Sequence, residues 1–129
     1  MVDHLNHPEP KLAGKRVLVV EDSFLVASSI AQMLEDIGCR VVGPYATVDD
    51  AMGALEVGAL DAGVLDVNLG NQTSEPVATG LMRRGVPFFF VTGYQSPAMM
   101  NPKFAGCARL HKPLTEAMLA DALVASLEG

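Results

Sequence analysis

Along the chain, runs of consecutive apolar residues alternate with stretches where apolar residues recur every third or fourth position. Val17 to Val20 are consecutive aliphatic residues, which predicts a strand covered on both faces. From Ser23 the period changes. Val26, Ile30, Met33, Leu34 and Ile37 line one face of a helix, and Gly38 is placed to end it. "CRVVG", from Cys39, predicts a second strand. Thr47 is a candidate cap for a second helix that buries Val48, Ala51, Met52 and Leu55. "DAGVLD" predicts a third strand ending at Asp66, and "NLGNQTSEP" a turn-rich loop. Val77, Ala78, Leu81 and Met82 form a third helical face, weakened by Gly80. "VPFFFVT" predicts a fourth strand ending at Thr92. The Gly- and Pro-rich stretch after it predicts at most a short or frayed helix. "ARLH" is a brief fifth strand running into Lys112 and Pro113. Thr115 then caps a last helix burying Leu119, Ala122, Leu123 and Leu127.

Strand–helix alternation of this kind predicts an α/β fold, a doubly wound five-stranded parallel sheet with helices on both faces. The 129 residues suffice for one domain, expected over 15–129, after a loose polar tail over 1–14. Val86 to Val91 is too short to span a bilayer and contains Pro87, and the N-terminus lacks the pattern of a signal peptide. The expectation is a cytoplasmic protein without a membrane segment. Cys39 and Cys107 lack metal-site or redox spacing and read as reduced, half-buried thiols. The formal net charge is −6, and the nine Lys and Arg residues form no stripe beyond Arg83–Arg84, which argues against nucleic acid as a partner.

Sites in such sheets lie beyond the carboxyl ends of the strands. Strand one ends at Glu21 and Asp22, strand three at Asp66 and strand four at Thr92, while strand five runs into Lys112. Adjacent carboxylates facing a third repel one another unless a cation lies between them. An oxygen-only, highly charged donor set suits a hard ion such as Mg²⁺. The plainer reading takes Glu21 and Asp22 as acids stabilised by the first helix N-terminus. The matching groups at the other strand ends weigh against it.

The ordered elements "VVED", "VLDVNL", "VTG" and "HKP", with the alternation between them, resemble a two-component response-regulator receiver domain over about Lys15 to Glu128. The resemblance implies a flavodoxin-like (βα)5 three-layer sandwich. It implies that Asp66 accepts a phosphoryl group from a histidine kinase or histidine phosphotransfer protein. Glu21, Asp22 and the Asn68 carbonyl join Asp66 in a Mg²⁺ site. Thr92 and Lys112 contact the phosphoryl group, and Pro113 follows a cis bond. Such a domain promotes its own phosphorylation and dephosphorylation and is not a turnover enzyme on a separate substrate. In this reading Leu110 stands where a switch aromatic is expected. "FVTGYQ" resembles in part a Phe-Ala-Thr-Gly-x-Tyr subclass, which makes Tyr94 either a substitute switch or a packed loop aromatic. The segment from Gly93 to Gly106 is expected to have low local stability and to order on activation. The sequence stops soon after the last helix, so output is expected through contact with a downstream protein.

Three other classes compete. A haloacid-dehalogenase-type phosphatase needs an acid where Asn68 stands. A flavin binder needs a Ser/Thr/Gly-rich loop where "EDSFLV" stands. A degenerate receiver acting as a phosphorylation-independent interaction module would not need the full acid, threonine and lysine set.

Overall fold

The computed structural model describes residues 8–93 and 101–129. Five strands form one parallel sheet: β1 (Arg16–Val20), β2 (Arg40–Tyr45), β3 (Ala62–Asp66), β4 (Phe88–Thr92) and β5 (Arg109–His111), in the order β2-β1-β3-β4-β5. Helices α1 (Phe24–Asp36), α2 (Val48–Leu55), α3 (Glu75–Arg83) and α4 (Glu116–Glu128) cover it, giving the flavodoxin-like three-layer sandwich. Their starts follow the expected chemistry. The hydroxyls of Ser23, Thr47 and Thr115 accept the backbone N–H groups of Val26, Asp50 and Met118. Among the described residues no helix is long and apolar enough to cross a membrane.

The consecutive apolar run of β1 is explained by its two covered faces. Val17 and Val19 pack with Ile30 and Leu34 of α1 and Leu119 and Leu123 of α4. Leu18 and Val20 pack on the opposite side with Ala51 and Leu55 of α2 and Leu81 of α3. Each strand residue therefore finds apolar neighbours whichever way it points.

Gly80 acts differently from the weak point expected of it. A Cβ there would stand 2.6 Å from Cδ1 of buried Leu55, so its absence lets α3 lie close against α2. Met82, assigned to the buried face, is 47% exposed, because α3 turns that position toward solvent.

Two further expectations change. The loose tail does not extend to Gly14. Pro10–Leu12 form a 3₁₀ turn and Leu12 is 0% exposed, packed into the α1–α4 side of the core. Backbone bonds from Glu9 N to Ile37 O and from Gly14 N to Gly38 O fasten both ends of this strap. The connection between β4 and β5 carries, among the described residues, only the 3₁₀ turn Pro102–Phe104. That turn is anchored rather than loose: Phe104 is fully buried with its ring edge-on to Phe90 at 5.7 Å, and Asn101 N donates to Glu75 Oε2 at 3.1 Å. The remainder of the expected low-stability segment, including Tyr94, falls on residues 94–100, outside the described residues.

The strap yields a stability prediction. Leu12→Ala should lower the unfolding free energy by about 2–5 kcal/mol in a denaturant titration, the cost of a cavity in a closed core. Lys11→Ala, which removes only an exposed ion pair to Glu128, should change it little. Equal, small effects would mean that the strap is not part of the cooperative unit.

Candidate functional site

Parallel register brings the strand ends to one edge. Val20 of β1 pairs with Leu65 of β3, so Glu21 and Asp22 follow β1 where Asp66 ends β3. Oxygens from Glu21, Asp22 and Asp66 lie within 4.8 Å of one another. Glu21 and Asp66 are 3% and 6% exposed, whereas Asp22 is open to solvent. β5 delivers the countercharge. Lys112 Nζ lies 2.8 Å from Glu21 Oε1 and 3.6 Å from Asp66 Oδ2, and the bond that follows it, to Pro113, is cis.

Glu21 Oε2 accepts Ser23 N at 3.0 Å, while the buried Oε1 meets Lys112 as an ion pair without hydrogen-bond geometry. Asp22 and Asp66 are the freer donors for an added cation. The Asn68 backbone N–H bonds to the Asp66 carboxylate. Asn68 opens a two-residue-per-strand hairpin, pairing with Thr73, whose turn holds Gly70 at φ +71°. A Cβ at Gly70 would stand 3.8 Å from Asp22 Oδ2, so the hairpin turn lies directly beside this acid.

The electrostatics follow from burial and crowding. Burial pushes the Asp66 carboxyl up to about 7. The hydrogen bond and negative charge of Glu21 add to the rise, while Lys112 and the Asn68 N–H oppose it. For Lys112, burial pulls the ammonium down, but the bond to Glu21 and the charges of both acids outweigh it, so its pKa is raised. The lysine stays charged, and the Asp66 carboxyl holds its proton well above the ordinary aspartate range.

The donor set fits a hard divalent ion. It consists of carboxylate oxygens of high charge density, and the nearby imidazole of His111 is turned to a different partner. The cysteines lie elsewhere: Cys39 is buried in the core, with its thiol pushed up to about 11 by that burial, and Cys107 is half-buried.

Thr92 ends β4 and is 4% exposed. Its carbonyl accepts Lys112 N at 2.8 Å, which ties the lysine strand to the threonine strand. Its hydroxyl pairs with His111 Nδ1 at 3.0 Å. The sequence pattern gives His111 no role and puts Leu110 at the expected switch position. Leu110 is not placed to report on Thr92. It pairs in register with Val91 and packs on the α1–α4 side of the core. With a side-chain period of two, the residues of β5 that share the Thr92 face are Arg109 and His111. Accordingly, Arg109 lies over the Phe90 ring at 5.9 Å and His111 meets Thr92.

The architecture is shared with solved structures. The solution structure of SdrG from Sphingomonas melonis Fr1 is 38% identical, covers 88% of this chain and 97% of that chain, and has a TM-score of 0.79. The BeF3-activated conformation of SdrG from Pseudomonas melonis Fr1 is also 38% identical, covering 89% of this chain and 98% of that one at a TM-score of 0.73. A CheY-like response regulator receiver domain protein from Methanospirillum hungatei JF-1 is 26% identical, with coverage of 90% and 95% and a TM-score of 0.75. No protein-family model and no curated protein matches the chain. With a relative of this identity aligned over nearly its whole length, on the same parallel sheet, the chain belongs to the response-regulator receiver family.

Proposed function

We propose that this protein is a phospho-accepting receiver of a two-component phosphorelay. It takes a phosphoryl group from a His-phosphorylated kinase or phosphotransfer protein onto Asp66, and it signals in the cytoplasm by contact with a downstream protein. The observation that carries this reading is the buried Asp66 carboxylate, set within 4.8 Å of two further acids and 3.6 Å from the Lys112 ammonium.

In this reaction an Asp66 oxygen forms the new O–P bond while the P–N bond to the donor imidazole breaks. The imidazole nitrogen keeps the bonding electron pair. The transition state is loose and nearly in line, so positioning and charge compensation matter more than nucleophile strength. The buried end of β3 fixes the nucleophile. Lys112 offsets negative charge on the phosphoryl oxygens. The Thr92 hydroxyl donates to one of those oxygens once the bond has formed. Glu21, Asp22, Asp66 and the Asn68 carbonyl would hold Mg²⁺, which neutralises charge between nucleophile and phosphoryl group when bound.

The surface beside the site supports a macromolecular donor. Phe24 and Leu25 are largely exposed at the start of α1, next to the acids. A groove of about 500 Å³, lined by Leu25, Val26, Met33, Pro113 and Leu114, runs from there to Lys112. A helix of a phosphodonor protein could bury this apolar strip while presenting its histidine to Asp66.

Two outcomes test the reading. Asp66→Asn should abolish labelling by acetyl phosphate while leaving the circular dichroism spectrum unchanged. Asp61 is already engaged with Arg16 N at 2.8 Å, so label appearing there, or surviving the substitution, would contradict the assignment and favour a phosphorylation-independent module. Mg²⁺ at a hundredfold excess over its Kd should stabilise the protein by about 2.7 kcal/mol through linkage. Asp22→Ala should remove most of that gain in thermal melts. An undiminished gain would place the ion elsewhere.

A further inference from the structure

The Thr92 hydroxyl has one proton to donate, and in the structure its oxygen already has a hydrogen-bond partner. Its oxygen lies 3.0 Å from His111 Nδ1, across adjacent strands in which Thr92 and His111 are register partners. The threonine is almost fully buried, and the histidine is exposed on the edge strand β5. A buried hydroxyl is satisfied when it donates, and a neutral imidazole protonated on Nε2 offers Nδ1 as an acceptor.

We propose that His111 is a positioning residue for Thr92. In the free protein its Nδ1 accepts the Thr92 hydroxyl, and a phosphoryl group on Asp66 must win that proton from it. The inference rests on the phosphoacceptor reading above. It follows from the alternation of β5. Leu110 faces the α1–α4 core and cannot follow the threonine, whereas His111 shares its face and touches it. When Thr92 changes partner, the imidazole loses its bond. Because it is exposed, a binding protein can sense its new position. A side chain adjacent to the lysine thus couples the buried site to the edge of the sheet.

Beryllofluoride with Mg²⁺, titrated into the full chain, provides the test. Removing the competing acceptor with His111→Ala should tighten beryllofluoride binding about fivefold, the equivalent of one net hydrogen bond of ~1 kcal/mol. The same substitution in a Thr92→Val background should change affinity little, because the two residues act through one bond. Imidazole ¹⁵N spectra of the free protein should show His111 protonated on Nε2, with an Nδ1 shift that moves in Thr92→Val and on beryllofluoride addition. Wild-type protein that binds no beryllofluoride would overturn the phosphoacceptor reading and this proposal together. Normal binding that is unchanged or weakened by His111→Ala, an equal gain in the Thr92→Val background, or an Nδ1-protonated tautomer would overturn this proposal alone.

Discussion

Three carboxylates against one nearby ammonium is the constraint around which this fold is arranged. Two like charges about 5 Å apart repel by roughly 3 kcal/mol at an effective dielectric constant near 20. Glu21, Asp22 and Asp66 are closer than that, and two of them are buried. Lys112 compensates part of the repulsion through its 2.8 Å contact with Glu21 and its longer contact with Asp66. Burial, and after it the hydrogen bond and charge of Glu21, raise the pKa of Asp66, a carboxyl kept short of full ionisation by its surroundings. The site is therefore primed for added positive charge, or for a covalent change that redistributes its negative charge.

The unfavourable cluster persists because a closed core holds the strands that present it. β1 and β3 are buried on both faces, and α1 and α4 are locked to them on one side with Leu12. On the other side, close approach of α2 and α3 at Gly80 completes the packing. None of these contacts touches the acids, yet each fixes a strand whose end carries one. The same logic governs β5: its short pairing with β4 sets Lys112 against the acids and His111 against Thr92.

Much of this was legible in the sequence. The alternation of aliphatic runs with helical spacing identified the strands and helices, and polar groups at the strand ends identified the edge where Glu21, Asp22, Asp66 and Lys112 come together. What was missed has physical reasons. Leu12 is a single apolar residue in a polar stretch, and a three-residue turn has no periodicity to reveal it. Gly80 was judged by the propensity of its own helix, whereas its role is set by the Leu55 side chain on a neighbouring one. The roles of Leu110 and His111 depend on which face of β5 meets Thr92. That is a matter of register between strands about twenty residues apart, and local pattern carries no record of it.

The pH dependence of stability, compared between the parent protein and Asp66→Asn with divalent ions chelated, probes the crowded site most directly. The folded protein holds its Asp66 proton up to about 7, whereas an ordinary aspartate releases it near 3.8. Between those values the native state binds more protons than the unfolded chain, so this group's contribution to stability is complete below 3.8 and is lost as pH rises toward 7. Asparagine cannot titrate. The account predicts that the variant gains on the parent steadily across that window and is the more stable protein above it. A difference that stays flat with pH, or a parent that gains on the variant as pH rises, would show that burial and the neighbouring Glu21 do not hold the Asp66 proton, and would contradict the account.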